Sequence, residues 1–550
     1  MLSIESLKYD DNTIASLNEW QYGTNWPSVY IFYNETSAYV GETLDAIRRT
    51  EQHKQEHSFD VFTDVCFISD KTFNKSVILD LESFLIKYMS ADRSKSLING
   101  NAGIVDHNYF YREAYEDEFK EIWNELKKRG IVSQTLVDIE NSDFYKYSPY
   151  KTLFREQYSS VYEILRWLSN SNNATSQSLI EVTGGAGTGK TILAVFLLKL
   201  LTDLSTLGLS DKSDMRYSWE IFDELGVGGQ RVTSKLSGIK DIGFVVPMKE
   251  LRNKMKEVFD TVKGLNSKMI ISPEEAIDRY YDLLVVDEAH RLYYRNHLPG
   301  QQLYAKFDRV NRQLMGESFS TDPNIAYTEL DWIIKSSRLQ ILFFDEYQRI
   351  RTADIPQSRF DAICAPRLVK RIELFSQMRC KGGNGYYEYV KTVLEGVKLD
   401  KKEYRIIENY SFSTVDSLDE LYSKIDEFEK KFGFCKVLAG PVSSLNKETI
   451  IDGHTLRWGE NIVSIHKIQG FDLNYAGVIF GKEVYYDKIK GCICINKNEL
   501  KDGFMKSGGD ESTKRYILNL YLTLMTRGIN GTYVYAADDN LREYFRYFFR

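Results

Sequence analysis

Six cysteines in 550 residues are too few and too scattered to staple a fold. Cys66, Cys364, Cys380 and Cys435 stand apart, while Cys492 and Cys494 flank one residue in the apolar run 491–495. No Cys-x-x-Cys pair occurs, and no histidine sits at finger spacing from a cysteine pair, which argues against a zinc finger or a redox motif. Proline is scarce, at nine, so Pro-rich linkers are missing. The longest apolar stretch, residues 192–201, is interrupted by Lys199 and is too short to span a bilayer. Residues 1–12 hold no apolar core of signal-peptide length. The expectation is a soluble, cytoplasmic protein with no membrane partner. Net positive charge is lacking as well: 71 Lys and Arg against 78 Asp and Glu leave −7. A passive polycation is thereby excluded, and any grip on nucleic acid must come from a local basic groove. Aromatic residues are plentiful at 13%, which excludes a disordered chain.

The length suggests three or four domains. Near the start, Val29-Tyr30-Ile31-Phe32-Tyr33 reads as a strand, Asn34-Glu35-Thr36-Ser37 as a turn and Ala38-Tyr39-Val40-Gly41 as the returning strand. Residues 44–53 have helical character, and Arg49 and His53, four apart, share a face. A second helix opens around Leu81, Phe84 and Leu85 and carries Glu82.

This order resembles the GIY-YIG nucleases over residues 25–105, with Ser28-Val29-Tyr30 and Tyr39-Val40-Gly41 in place of the two name motifs. The resemblance implies a small α/β domain that cleaves phosphodiesters with Mg²⁺. Tyr30 or Tyr39 would position or deprotonate water, and Arg49 would clamp the phosphate with its planar fork. His53 falls at the spacing of restriction-type members. Glu82 would hold one Mg²⁺, and Asn99 or Asn101 would stand for a late asparagine. A metal and Arg49 are expected to lower a tyrosine pKa from about 10. Ser28, and Glu42 where several relatives carry Lys, keep open a scaffold whose nuclease is dead.

Residues 112–128 predict a helix with Phe119, Ile122, Trp123 and Leu126 on one face, stopped by Gly130. Gln157 stands where many helicases read the adenine edge. Further on, Ser178-Leu179-Ile180-Glu181-Val182-Thr183 is a strand running into Gly184-Gly185-Ala186-Gly187-Thr188-Gly189-Lys190-Thr191 and then an apolar helix. Strand, glycine loop and helix make a phosphate loop. Gly184, Gly187 and Gly189 let backbone N–H groups face phosphates, the helix N-terminus adds positive potential, Lys190 reaches the β- and γ-phosphates of ATP, and Thr191 ligates Mg²⁺. Residues 282–290 form a buried strand ending in Asp287-Glu288-Ala289-His290. Asp287 would hold Mg²⁺ through water, Glu288 would orient the hydrolytic water, and His290 would couple the site to the rest of the domain. Another strand, residues 339–344, leads to Asp345-Glu346-Tyr347-Gln348, with Gln348 placed to sense the γ-phosphate.

The second half continues with Gln377-Met378-Arg379, His466-Lys467-Ile468-Gln469-Gly470 and Thr526-Arg527-Gly528. In this order the motifs resemble superfamily-1 helicase motors across residues 150–550, most closely the helicase-like family shared with Schlafen proteins. That resemblance implies two RecA-type parallel-sheet lobes around ATP, with Arg379 and Arg527 as arginine fingers and Gly470 at the nucleotide. The expected organisation is a nuclease domain (1–105), a helical connector (106–155) and two lobes (156–370 and 371–550). Residues 202–241 and 297–327 read as insertions. The function implied is an ATP-dependent DNA helicase or translocase fused to an endonuclease, in bacterial defence against foreign DNA or in repair. An ATP-gated nuclease switch or scaffold without strand separation, acting on DNA or RNA, is the other reading. A homo-oligomer or an operon partner is left open. The acidity belongs to solvated faces and catalytic carboxylates, with binding concentrated at positions such as Arg48, Arg49, Lys249 and Arg252.

Overall fold

Strand β1 (Ser3–Lys8) and helix α1 (Thr13–Glu19) precede the hairpin of β2 (Ser28–Tyr33) and β3 (Ser37–Thr43). This is a computed structural model, which describes the chain apart from residues 1, 100–108, 141, 150–152, 154, 171–177, 208–235, 263, 297, 299, 350, 352, 378–379, 397–406, 408, 441–448, 458, 460–461, 465–472, 501–509 and 550. Internal packing divides the chain into two units. One holds residues 1–175, 191–244 and 252–270, and the other residues 176–190, 245–251 and 271–550.

In the first unit the hairpin is followed by α2 (Ala46–Lys54), β4 (Asp64–Ser69), α3 (Lys75–Asp92) and the two-residue β5 (Ser96–Leu97). The strands form one sheet in the order β1-β4-β2-β3-β5. Tyr30 faces Gly41 across the hairpin, and Phe67 on the other side. Asp45 caps α2 by accepting from the Arg48 N–H, and Asn74 caps α3 by accepting from Ser76 and Val77. Leu17, Tyr30, Phe32, Ala46, Val65 and Phe67 make the core beneath. Helix α4 (Arg112–Lys128) buries Phe119, Ile122, Trp123 and Leu126, the face its periodicity marks. Short helices α5 (Leu136–Glu140) and α6 (Asp143–Lys146) lead to α7 (Arg155–Ser169).

The second unit begins with β6 (Ser178–Gly184) and its following loop to Lys190, and the rest of α8 (Lys190–Leu207) belongs to the first unit. Strand β7 (Ile242–Val245), helix α9 (Lys249–Phe259) and β8 (Ile270–Ile271) cross between the units along the chain. Then come β9 (Tyr281–Val286), α10 (Gln301–Met315), α11 (Glu329–Lys335), β10 (Ser337–Phe344), α12 (Gln357–Cys364) and β11 (Leu368–Leu374). The sheet order is β11-β6-β10-β9-β7-β8, and the pairs β11–β6, β6–β10 and β10–β9 are parallel. These strands are near-continuous apolar runs because both faces are covered. The region 297–327 contains α10, whose Phe307 and Val310 pack with Trp332 of α11.

A second parallel sheet follows. After α13 (Gly383–Glu395) come β12 (Ser411–Thr414), α14 (Leu418–Phe432), β13 (Lys436–Ala439), the small hairpin of β14 (Thr449–Ile451) and β15 (His454–Leu456), β16 (Val463–Ser464) and β17 (Leu473–Phe480). The hairpin of β18 (Val484–Asp487) and β19 (Cys492–Ile495) precedes α15 (Asp510–Met525), β20 (Gly528–Ala536) and α16 (Asp539–Phe548). The order is β12-β20-β17-β13-β16, with every pair parallel. Cys492 and Cys494 share one face of β19, with sulfurs 3.8 Å apart. Among the described residues no helix is long and apolar enough to cross a membrane, and no group of three or more His, Cys, Asp or Glu is placed to hold a metal.

Candidate active sites

The first site lies in the second unit, in the loop from Gly184 at the end of β6 to Lys190. Gly187 and Gly189 adopt φ of 85° and 79°, a left-handed region that glycine enters at little cost and residues with a Cβ do not. A Cβ on Gly184 would come within 2.6 Å of Thr188 Oγ1 and 2.9 Å of the Leu374 carbonyl. The loop is therefore a cradle of bare backbone at a helix N-terminus, which fits phosphate groups. Lys190, only 6% exposed, donates from Nζ to the carbonyls of Gly184 (2.6 Å) and Gly185 (2.9 Å) and lies 3.2 Å from Asp345 Oδ2. Thr191 is the next residue of α8.

Asp287 follows the last residue of β9 and is fully buried, with its N–H bonded to the Val245 carbonyl at 3.0 Å. Glu288 takes a left-handed backbone, φ 51°, which turns the chain sharply after the strand. Its Oε2 lies 2.9 Å from His290 Nε2. His290 Nδ1 accepts from the Asp345 N–H at 3.2 Å, so the ring proton sits on Nε2, which is close to Glu288 but not aligned for a hydrogen bond with it. Burial opposes charge on Glu288, but His290, then Lys190 and Arg291, outweigh it and hold the carboxyl well below the usual range. Gln348 donates from Nε2 to Asp345 Oδ2 at 2.7 Å. Lys190, Asp345, Gln348 and His290 thus form one hydrogen-bonded group, with Glu288 in charge contact with His290. Asp345 is its centre, and the sequence reading passed over it in favour of Gln348. The available signal was its position: the first polar residue after the apolar run of β10.

Helix α13, which belongs to the second parallel sheet, also meets the loop. Gln377 donates to the Ala186 carbonyl, and the Tyr387 ring lies where a Cβ on Gly185 would come within 3.3 Å. Lys391 sits 4.2 Å over the Tyr347 ring. These residues, with Gly184 and Asp345, line a cavity of about 510 Å³. Arg515 of α15 pairs with Glu346 at 2.6 Å, and Arg349 donates to the Tyr516 hydroxyl at 2.9 Å. Arg527 lies between α15 and β20 and is 1% exposed. Gln157 is buried near the start of α7, in the other unit. Arg379, Gly470, His466 and Asn101 lie outside the described residues.

The second constellation is on the N-terminal sheet. Tyr30, fully buried on β2, has its hydroxyl 3.0 Å from His53 Nε2 and accepts from Arg49 Nε at 3.1 Å. Gly41 leaves room for this ring, since a Cβ there would overlap it. The Tyr39 ring stacks on Tyr30 at 6.4 Å. His53 is enclosed by Phe59, Phe32 and Tyr39, with centroids 3.7, 5.3 and 6.0 Å away. Burial, aided by Arg49, lowers its pKa to about 3, so the imidazole is neutral near pH 7. Its other nitrogen, Nδ1, lies 3.3 Å from Glu56 Oε2. Glu82, on α3, is half-buried and close enough for its charge to act on the Tyr30 phenol. Asn99 clamps β3, accepting from the Val40 N–H at 2.9 Å and donating to the Val40 carbonyl at 2.7 Å. Glu42 pairs with Lys75 at the start of α3.

Arg49 alone does not lower the Tyr30 pKa. Burial, then the neighbouring Tyr39, push the phenol up and outweigh the guanidinium. Tyr30 therefore holds its proton in the resting protein, with His53 Nε2 3.0 Å from its oxygen.

A phosphate loop at the end of a parallel strand, a buried Asp-Glu on the strand two places away, and a second parallel sheet on the same unit define a P-loop protein of the helicase type. The family model described as Schlafen group 3, DNA/RNA helicase domain matches residues 177–461 and 459–538, and the chain belongs to that family. The match begins at residue 177 and leaves the N-terminal sheet outside it. An uncharacterized protein of Saccharomyces cerevisiae, YPL245W, is 24% identical over 416 residues, 66% of this chain and 83% of its own length. Among solved structures, the arterivirus nonstructural protein 10 helicase shares 13% identity over 68% of this chain and 64% of its own, with a TM-score of 0.26. The Pif1 helicase from Candida albicans shares 13% over 72% of this chain and 96% of its own, with a TM-score of 0.24. At such TM-scores the likeness fixes no residue's role.

Proposed function

We propose that the chain is an ATP-hydrolysing nucleic-acid motor joined to a metal-dependent endonuclease, acting on DNA in defence against foreign DNA or in repair. The observation that carries the motor is the hydrogen-bonded group of Lys190, Asp345, Gln348 and His290, with Glu288 in charge contact with His290. Lys190 is held at the mouth of the phosphate loop, where its charge meets the β- and γ-phosphates. Glu288 is kept ionised and can orient water for attack. A change at the phosphates felt by Lys190 passes to Asp345, which also holds Gln348 and His290. Asp287 and Thr191 are the residues that would hold Mg²⁺, which neutralises phosphate charge when bound. Arg379 and Arg527 are the proposed fingers of the second lobe.

The nuclease reading is supported by Tyr30 between Arg49 and His53. Glu82 would hold Mg²⁺, a hard cation suited to one carboxylate and several waters, which would polarise the scissile phosphate when bound. Arg49 clamps that phosphate, Tyr30 meets the water, and neutral His53 takes the phenol proton.

Two assays on one preparation test the whole. Lys190→Ala should lower phosphate release from ATP at least about 100-fold, while Glu82→Ala should abolish Mg²⁺-dependent cleavage and leave hydrolysis intact. Cleavage unchanged by Glu82→Ala would remove the nuclease. Hydrolysis without displacement of a strand would assign an ATP-gated switch in place of a motor. Single-stranded, duplex and branched DNA beside RNA decide the substrate.

A further inference from the structure

The structure places a residue behind His53 that the spacing of motifs does not mark. Glu56 closes the turn after α2. Its N–H bonds to the His53 carbonyl at 3.0 Å, and its own carbonyl accepts from the Phe59 N–H at 2.9 Å. The turn holds the Glu56 carboxylate on the far side of the imidazole from Tyr30, with Oε2 3.3 Å from Nδ1. Tyr30, His53 and Glu56 then stand in a row: phenol oxygen to Nε2 at 3.0 Å, Nδ1 to carboxylate at 3.3 Å. A carboxylate only accepts, so the nitrogen facing it is the protonated one. The opposite nitrogen is left with a free lone pair aimed at the phenol O–H.

We propose that Glu56 is a positioning residue that fixes His53 as the Nδ1–H tautomer, so that Nε2 accepts the proton of Tyr30. The proposal rests on the nuclease reading for its purpose, and on this geometry alone for its truth. In the step it serves, the Tyr30 O–H bond breaks as the His53 Nε2–H bond forms, and in the same motion the phenol oxygen takes a proton from the attacking water, so no free phenolate builds up in a buried site that disfavours it. The water oxygen bonds to phosphorus, the leaving oxygen departs with the electrons of its phosphorus bond, and the imidazolium formed is faced by the Glu56 carboxylate. His53 returns its proton to solvent when product leaves. Without Glu56 the neutral ring is free to carry its proton on Nε2 and donate it to the Tyr30 oxygen, and no lone pair then faces the phenol O–H. The groups around the ring are Tyr30, Tyr39 and Arg49, with Phe32 and Phe59 as apolar walls.

The test uses the full chain labelled with ¹⁵N-histidine, with the His53 signals assigned by their loss in His53→Gln. Long-range ¹H–¹⁵N spectra at neutral pH distinguish a protonated from an unprotonated ring nitrogen. Wild type should show Nδ1 protonated and Nε2 bare. Glu56→Ala should shift His53 to a mixture or to the Nε2–H form. Glu56→Asp should restore the wild-type pattern in part, and Glu51→Ala, an exposed carboxylate on the same helix, should leave it unchanged. In cleavage, Glu56→Ala should lower kcat about 10- to 100-fold with KM little altered, as loss of an orienting partner does. A His53 tautomer identical in wild type and Glu56→Ala overturns the proposal. A wild type that cleaves no nucleic acid yet shows the Glu56-dependent tautomer overturns the nuclease reading and leaves the positioning role standing.

Discussion

At the scale of single residues, burial decides more than partnership does. Tyr30 has a guanidinium at 3.1 Å, yet its pKa rises because the ring sits in a core of Phe32, Phe67 and Val65. His53 shows the opposite sign from the same cause: burial drives it down from 6.5 to about 3. This has a consequence for stability. Above pH 6.5 both folded and unfolded chains carry neutral His53. Between 6.5 and about 3 the unfolded chain takes up a proton that the folded chain refuses, so stability declines as pH falls. The loss is about 1.4 kcal/mol for each pH unit in that window and stops below it. Denaturant unfolding of wild type and His53→Gln at pH 7 and pH 5 should show wild type losing stability that the variant keeps. Equal losses would mean that the imidazole is protonated in the folded protein.

Elements place these residues by geometry that local patterns only partly announce. The hairpin of β2 and β3, the helical face of α4, and the apolar strands β6, β9 and β10 follow from alternation and period. Their ends carry the chemistry, because polar residues collect where apolar strands stop. The turn after β10 shows what lies beyond such patterns. Arg291, just past Glu288, is buried with Asp354 at 2.9 Å, and Asp354 also accepts from the Arg351 N–H at 3.0 Å. The pair ties the segment after β9 to the segment after β10, 63 residues apart in the chain. Replacing Asp354 by Ala leaves a buried guanidinium without its carboxylate. The expected cost is about 3–5 kcal/mol in unfolding free energy. A change below about 1 kcal/mol would mean that water or another acceptor takes over.

For the whole molecule, an acidic chain that binds nucleic acid must concentrate its cations. Arg48 is exposed at the edge of the N-terminal constellation, and Arg49 reaches inward beside it. Affinity for single-stranded DNA should fall roughly tenfold or more between 50 and 200 mM salt, read by fluorescence anisotropy, since released counterions drive such binding. Salt-independent binding would point to stacking in place of phosphate contacts. Much of this protein was legible in its residues alone. The glycine loop before Lys190, the carboxylates closing an apolar strand, and Tyr30, Arg49 and His53 at their spacing are all local patterns, and local patterns survive in one dimension. The sequence by itself determined these parts because the glycine loop and the strand-end carboxylates depend on neighbours a few positions away, and Tyr30, Arg49 and His53 lie within one short strand–turn–helix stretch. Only the tertiary structure decided that Asp345 joins Lys190 to Gln348 and His290, that Glu56 backs His53, and that Tyr30 keeps its proton. Those outcomes depend on which strands lie side by side and how much solvent is excluded, and both are set by contacts between residues distant in the chain.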